Sequence, residues 1–277
     1  MNVKKMLGVA ITLALILPAV SAAQDGPVIW LSMLQAKPGQ SEALTQNIVA
    51  NGAELYGQLM AQGAVYEWGV AQPITHTPDQ AYSHVEFVVF ANWEGVDSFV
   101  KGFVSARMAM SPEERTAQAA QLQALVEPGS HFDVVNRGVH VGGASLGRPS
   151  YMNLAFFKAK PAADAMGRFQ EYVQPILEKL SAEGEIGRFG VEVPELHGDP
   201  SWSHVFWYQT PGLGGRDAFH AALQAADEAR GEAEAAAMRE RWGETFESEA
   251  HWDEILAIVH WAGAEGGEGG EGGEGGT

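Results

Sequence analysis

The sequence repeats itself at a spacing of 120 residues, and this repeat constrains the fold more than any other feature. The matching segments are Tyr82-Ser83-His84-Val85 with Trp202-Ser203-His204-Val205, His131-Phe132-Asp133 with His251-Trp252-Asp253, and Val139-His140 with Val259-His260. Chance does not hold one register through about sixty residues, so the pattern predicts two copies of one structural unit.

Each copy has the pattern of a β-α-β-β-α-β unit, because alternating apolar residues predict strands and apolar residues three or four apart predict helices. In the first copy, strands are predicted near 28–35, 64–71, 84–91 and 131–141, and helices near 42–62 and 95–126. In the second copy, strands are predicted near 151–158, 186–193, 203–209 and 252–262, and helices near 162–183 and 214–248.

A unit of this kind forms a four-stranded antiparallel sheet with two helices on one face. The other face of the sheet needs an apolar partner, which a second copy supplies by packing sheet against sheet. The predicted fold class is therefore α+β, with two tandem ferredoxin-like units, residues 24–146 and 147–263, forming a pseudo-symmetric α/β barrel. We call these two ranges the first half and the second half.

The two ends of the chain are predicted to lie outside these units. Lys4 and Lys5 precede an apolar run, and small residues that fit a cleavage site end at Ala23, so residues 1–23 resemble a secretory signal peptide. Residues 264–277 form a Gly-Gly-Glu repeat and are predicted to be a disordered tail. The expected location is therefore exported, either periplasmic or secreted.

Composition excludes several classes of function. The chain has 17 Lys and Arg against 35 Asp and Glu, a net charge of −18, which argues against nucleic-acid binding. It has no cysteine, which excludes disulfides, thiolate metal sites and cysteine nucleophiles. No stretch after the signal peptide is apolar for long enough to predict a membrane span. The expected partner is a small-molecule ligand.

The segment Phe90-Ala91-Asn92-Trp93-Glu94-Gly95-Val96-Asp97-Ser98-Phe99 is similar to the strand–Trp–helix junction of antibiotic-biosynthesis-type monooxygenase domains. Together with the repeat, it makes residues 27–263 resemble the dimeric α/β-barrel (ferredoxin-like) superfamily in tandem-fused form. EthD-like and NIPSNAP-like proteins, haem-degrading monooxygenases and chlorite dismutases belong to the same group.

This resemblance implies cofactor-independent monooxygenation of a small aromatic or apolar substrate, by deprotonation and reaction with O₂. It also makes a second copy of the chain an expected partner, as a homodimer. The fold hosts unrelated chemistries, so a non-enzymatic periplasmic ligand-binding or stress-related protein is the alternative.

Strand alternation predicts which side chains line the site. On the third strand, Val85 and Phe87 are expected to face the helices, so that His84 and Glu86 face the barrel interior together with His204. These three are the candidate catalytic residues, with a histidine as general base near neutral pH and Glu86 fixing its tautomer or the substrate. The candidate ligand-binding residues are Trp30, Asn153, Tyr208, His140 and His260. Alternatively, each duplicated histidine fills the same structural niche in both halves.

Haem and metal sites are weaker alternatives. The haem-degrading relatives imply an Asn on the first strand, a Trp after the third and a His further along the helix. Asn153 matches in the second half and Trp93 in the first, where Phe103 takes the place of the histidine, and His220 is a conceivable axial ligand. His84 and Glu86 alone supply two metal ligands, and two do not make a site. The sequence therefore predicts no cofactor and no metal.

Overall fold

The computed structural model describes residues 26–75, 82–144, 146–147, 149–196 and 201–263. The predicted signal peptide, 1–23, and the predicted Gly/Glu tail, 264–277, lie outside the described residues.

Within the described residues, eight antiparallel strands close a barrel in the order β1-β3-β2-β8-β5-β7-β6-β4, which confirms the α+β class. The strands are β1 Val28–Leu34, β2 Val65–Pro73, β3 His84–Phe90, β4 Phe132–Gly142, β5 Tyr151–Phe157, β6 Phe189–Leu196, β7 His204–Thr210 and β8 Trp252–Gly263. The long strands β4 and β8 close the barrel, because β4 pairs with both β1 and β6 and β8 pairs with both β5 and β2.

The helices cover the outside of the barrel. They are α1 Ser41–Ala61, α2 Trp93–Ala109, α3 Pro112–Leu125, α4 Ala165–Arg168, α5 Gln174–Ala182, α6 Gly214–Arg230 and α7 Glu232–Thr245. A π-helical turn, Phe169–Val173, joins α4 to α5 just before Pro175, whose missing N–H favours such an irregularity. In the part of the chain that is described, no helix is long and apolar enough to cross a membrane.

Two of the helices predicted as continuous are each broken in two. In the segment 95–126, Ser111 ends α2 and caps α3: its Oγ accepts the Glu114 N–H at 3.1 Å, and the Glu114 side chain accepts the Ser111 N–H at 2.7 Å. In the segment 214–248, Gly231 adopts φ 83°, which ends α6 and starts α7. The prediction of one helix in each segment was wrong because local capping outweighed helix propensity.

The barrel interior is filled by apolar side chains from strands of both halves. This core includes Met33, Val85, Phe87, Val134, Phe156, Val205, Leu256 and Ile258. A second core lies between the first-half sheet and α1, and it includes Val28, Tyr56, Leu59, Trp68, Val88 and Phe90. The interior of the barrel is therefore a packed core.

The predicted facing of the third strand was wrong. Val85 and Phe87 point into the barrel, whereas His84 and Glu86 point towards α1. The same inversion applies to the first strand, where Met33 faces the barrel interior. The closed interior offers only other strands as neighbours and takes the apolar set, while α1 carries the hydroxyl groups that His84 and Glu86 require.

Candidate active site

A row of polar side chains crosses three neighbouring strands on the face of the sheet that α1 covers. Ser32 of β1 pairs with Glu86 of β3 on one side and with Asp133 of β4 on the other. Ser32 Oγ donates a hydrogen bond to Asp133 Oδ1 at 2.6 Å, and Trp30 Nε1 donates to the same oxygen at 3.1 Å. We call Glu86, Ser32 and Asp133 the polar row.

Glu86 is the group in this row with the most perturbed acidity. Burial raises the pKa of Glu86 from 4.5 to about 7, a hydrogen bond from the Tyr56 hydroxyl opposes this rise, and the nearby charge of Asp133 adds to it. A carboxyl group with a pKa near the ambient pH takes up and releases a proton with little cost, which is the property of a general base.

Solvent reaches the polar row at the centre of the sheet. Along β1, Trp30 and Ser32 are partly accessible, although Val28 and Leu34 at the ends of the strand are buried. Glu86 is also partly accessible, between buried neighbours on β3. The helices bury the ends of these strands, whereas Trp30, Ser32 and Glu86 at the centre keep part of their surface accessible to solvent.

Aromatic rings cluster around Tyr56. The Tyr56 ring stacks on Phe99 of α2 at 5.6 Å between centroids, and Phe99 meets Trp30 edge to face at 6.1 Å. On the other side, Tyr56 lies 4.7 Å from Trp68, which in turn lies 4.6 Å from His260. The residue whose hydroxyl interacts with the Glu86 carboxyl thus belongs to an aromatic cluster.

His84 lies on the same face as Glu86 but in a different set of contacts. Its Nε2 is 3.0 Å from Thr45 Oγ1, 2.9 Å from Gln72 Nε2 and 3.1 Å from the Ser41 carbonyl oxygen, and its Nδ1 is 2.8 Å from Ser83 Oγ. Burial lowers the pKa of His84, which favours the neutral ring. These contacts tie β3 to the start of α1, and the catalytic role of His84 stays a prediction.

The second half replaces the centre of the polar row with apolar residues. Ala155 pairs with Phe206 and Asp253, as Ser32 pairs with Glu86 and Asp133 in the first half. Phe206 packs against Phe169 at 5.0 Å. The two halves are therefore chemically different at matching positions, because the second half has no carboxyl group in the place of Glu86.

The remaining predicted site residues do not form one site with Glu86. Asn153, Tyr208, His204 and His140 all lie in the layer between the second-half sheet and its helices. Asn153 is buried with its Oδ1 unpartnered, and burial lowers the pKa of both His204 and His140.

Each of the two long strands carries a histidine that packs against residues of the other half. His140 of β4 lies against Phe169 and Phe189, in the second half. His260 of β8 lies against Trp68, in the first half. Trp30, His84, Glu86 and His260 are thus the predicted residues that the first-half layer contains.

Two residues of this arrangement, Tyr56 and Asp133, were missed in the sequence, and Ser32 was expected beside Trp30 in the cavity but without a role. Asp133 could have been found, because the His-x-Asp pattern that contains it recurs in both halves. Ser32 and Tyr56 carry no comparable signal, since their roles depend on the strand order and on which turn of α1 lies over Glu86.

The residues weighed for haem do not fit that group. Trp93 and Phe103 are 36% and 49% exposed on α2, Asn153 lies in the other half, and His220 is exposed on α6. No set of them meets around a common space, so no step is derived through haem. For metals, no cluster of three or more His, Asp or Glu able to hold an ion occurs in the described ranges.

Two open concavities lie away from the polar row, on the outer surface where α2 meets α3. Arg107, Pro112 and Arg115 line the first, and Pro112, Glu113 and Thr116 line the second. Neither includes a residue of the candidate site.

No protein-family model matches the chain, and no curated protein matches it. Solved structures match its fold. A candidate monooxygenase from Lactobacillus acidophilus NCFM has a TM-score of 0.57 at 11% identity, over 87% of this chain and 97% of its own. A candidate monooxygenase from Fusobacterium nucleatum subsp. nucleatum has a TM-score of 0.56 at 8% identity, over 87% and 96%. An anthrone oxidase-like protein has a TM-score of 0.49 at 15% identity, over 91% and 99%. The chain therefore has the fold of the ferredoxin-like α/β barrels.

Proposed function

We propose that this chain is an exported, monooxygenase-like enzyme without a bound cofactor, built from two tandem ferredoxin-like units, that oxidises a small aromatic or apolar substrate. The observation that carries the proposal is Glu86, a carboxyl group with a pKa of about 7 that is held by Tyr56 among aromatic rings and is still reached by solvent.

We infer a substrate crevice at the partly accessible surface of the first-half sheet, beside helices α1 and α2. The partial accessibility of Trp30, Ser32 and Glu86 in the middle of their strands supports this placement. A planar substrate that lies against Trp30 and Phe99 brings an acidic C–H or O–H group within reach of the Glu86 carboxyl.

The reaction begins when the Glu86 carboxylate removes a proton from a CH₂ group whose carbanion is stabilised by conjugation with an aromatic ketone. The resulting carbanion transfers an electron to O₂ and then combines with the reduced oxygen to give a peroxide. Loss of water from the peroxide converts the CH₂ group into C=O. The balance is one CH₂ and one O₂ giving one C=O and one H₂O, so no external reductant is needed.

Each neighbour of Glu86 has a part in this step. Hydrogen bonding from the Tyr56 hydroxyl opposes the rise in the pKa of Glu86 and so favours the carboxylate. The Asp133 charge raises the pKa of Glu86 and so strengthens it as a base. Because Glu86 and Asp133 are both acidic, the crevice favours neutral substrates over anions.

The test uses anthrone, an aromatic ketone with an acidic CH₂ group, as the probe. Purified protein in ¹⁸O₂ is expected to consume oxygen and to place one labelled atom in the ketone product, with the rate unchanged by a chelator. Glu86→Gln is expected to lose about a hundredfold or more of this rate, as removal of a general base does.

Glu192→Gln is the matched control. Glu192 is also a buried carboxyl group with a pKa raised to about 7, but it bonds Asn136 and belongs to a different part of the barrel. Equal loss in the two variants, or no oxygen uptake by the wild-type protein, contradicts the proposed enzyme. Binding of anthrone without oxygen uptake assigns the crevice to a ligand-binding protein.

Export and self-association complete the proposal. The sequence of residues 1–23 supports export, and N-terminal sequencing of the native protein should find a start near residue 24.

Exposed apolar side chains on α2 at Val100, Phe103 and Met108 support pairing with a second copy. Sedimentation should then give the mass of a dimer, which Phe103→Glu reduces to that of a monomer.

A further inference from the structure

The Glu86 carboxyl exchanges its proton with solvent whenever it changes its charge, and at the centre of the sheet it is only partly accessible. We infer that Ser32 and Asp133 form the path by which the proton leaves Glu86, with His131 holding the Asp133 carboxylate at the exit. This inference rests on the proposed function, since it concerns the same site.

Ser32, Asp133 and His131 lead from the position beside Glu86 at the sheet centre to the surface. Ser32 stands beside Glu86 as its cross-strand partner, where Cβ atoms are typically about 4.5–5.5 Å apart. Ser32 Oγ reaches Asp133 Oδ1 at 2.6 Å, and His131 Nε2 lies 3.2 Å from the same oxygen. The side chains of Asp133 and His131 are 29% and 55% exposed, so the line ends in solvent.

The other titratable groups that face Glu86 are less suited to this task. Burial and the charge of Glu86 hold the pKa of Tyr56 well above 10, so Tyr56 keeps its proton. His84 is engaged by Thr45 and Ser83. His260 lies beyond Trp68, on the far side from Asp133.

The transfer conserves atoms and charge. The proton on Glu86 passes to Ser32 Oγ, directly or through one water molecule, while the Ser32 hydroxyl proton passes to Asp133 Oδ1. Asp133 then releases a proton to water or buffer. Ser32 again carries one proton, Glu86 is again a carboxylate, and one proton has moved to solvent.

The second half provides a matched control within the same chain. His251 Nε2 lies 3.1 Å from Asp253 Oδ1, which repeats the His131–Asp133 pair. Next to Asp253, however, stand Ala155 and Phe206 in place of Ser32 and Glu86. The second half therefore contains the His–Asp pair but has no carboxyl group at the position of Glu86.

The experiment measures proton exchange at Glu86 by ¹³C NMR relaxation dispersion, in the full chain with ¹³C-labelled glutamate side chains. The Glu86 carboxyl signal is identified by its absence in Glu86→Gln. At pH 7, Ser32→Ala and Asp133→Asn are expected to slow the exchange by about a hundredfold, the lower end of what a positioned proton-transfer group contributes. Ser32→Thr keeps the hydroxyl and is expected to restore it.

Ser32→Ala is a mild change, because the second half already carries Ala155 at this position. Asp253→Asn is expected to leave the Glu86 exchange as in the wild type. Unchanged exchange in Ser32→Ala, or equal slowing in Asp253→Asn, overturns the path.

A second measurement separates this inference from the proposed function. With anthrone as the probe, oxygen uptake by Ser32→Ala is expected to recover as the concentration of imidazole buffer rises, whereas the wild type does not respond. If the wild-type protein takes up no oxygen, the proposed function fails, and the NMR exchange still decides whether the path exists.

Discussion

The Tyr56 hydroxyl of α1 faces the Glu86 carboxyl of β3 across the boundary between helix and sheet, and its hydrogen bonding opposes the rise in the pKa of Glu86. This contact joins α1, one of the helices that cover the first-half sheet, to the strongest candidate for a base. It also determines the acidity of Glu86, because a donor stabilises the carboxylate and so opposes the effect of burial.

Tyr56→Phe removes that donor and retains the ring. The pKa of Glu86 should then rise further above about 7, by roughly one unit if the bond contributes about 1 kcal/mol. The pH dependence of the ¹³C shift of the Glu86 carboxyl measures this directly. A titration midpoint that stays in place, or moves down, contradicts the bond.

Two glycines on α1 provide a paired test of how the Tyr56 ring is positioned. A methyl group at Gly52 would lie 2.9 Å from Tyr56 and 3.2 Å from Trp68, whereas nothing lies within 4 Å of a methyl group at Gly57. Gly52→Ala should therefore displace Tyr56 and lower the melting temperature.

Gly57→Ala should do the opposite, since alanine favours a helix over glycine by about 1 kcal/mol. Thermal unfolding of both variants provides the comparison. If both variants gain stability, the close approach of Gly52 to the two rings is refuted.

Glu192 should make the protein less stable as the pH rises. Burial raises the pKa of Glu192 from 4.5 to about 7 in the folded state, so the folded protein holds this proton where the unfolded chain has lost it. The stabilisation is complete below pH 4.5 and is lost as the pH rises to about 7, a loss of about 3 kcal/mol.

Denaturant unfolding at pH 5 and pH 8 measures this loss. Glu192→Gln should be destabilised less than the wild type by the change to pH 8, while the exposed Glu240→Gln should follow the wild type. Parallel curves for the wild type and Glu192→Gln would show that Glu192 is not titrating in this range.

His84→Ala should destabilise the fold by about 2–4 kcal/mol, because it empties a buried position and leaves Thr45 and Gln72 without their common partner. His204→Ala is the matched change in the second half, where the ring edge packs on Phe206 and Phe246. A loss of oxygen uptake with unchanged stability would instead support the catalytic role predicted from the sequence.

The sequence allowed the strand pattern to be predicted, but not the direction in which Glu86 points. Alternation along β3 separates His84 and Glu86 from Val85 and Phe87, and the structure keeps that separation. Which set faces the helices depends on what α1 presents, and a single strand carries no signal of that. The hydroxyl groups of Thr45 and Tyr56 decide it.

The sequence shows that the two halves differ at the positions of Glu86 and Ser32, but it does not show that these positions are neighbours. Phe206 stands where the repeat places Glu86, and Ala155 stands where Ser32 would be. Only the pairing of β1 with both β3 and β4 shows that Ser32, Glu86 and Asp133 are neighbours. Residues that are far apart in the chain become one row through strand order.

The pH dependence of kcat/KM for anthrone oxidation reports whether Glu86 must be ionised for the reaction. If Glu86 is the base, kcat/KM rises with pH through a single ionisation near 7, is lost in Glu86→Gln and is retained in Glu192→Gln. A rate that is independent of pH between 5 and 9, or a Glu86→Gln variant that follows the wild type, would contradict it.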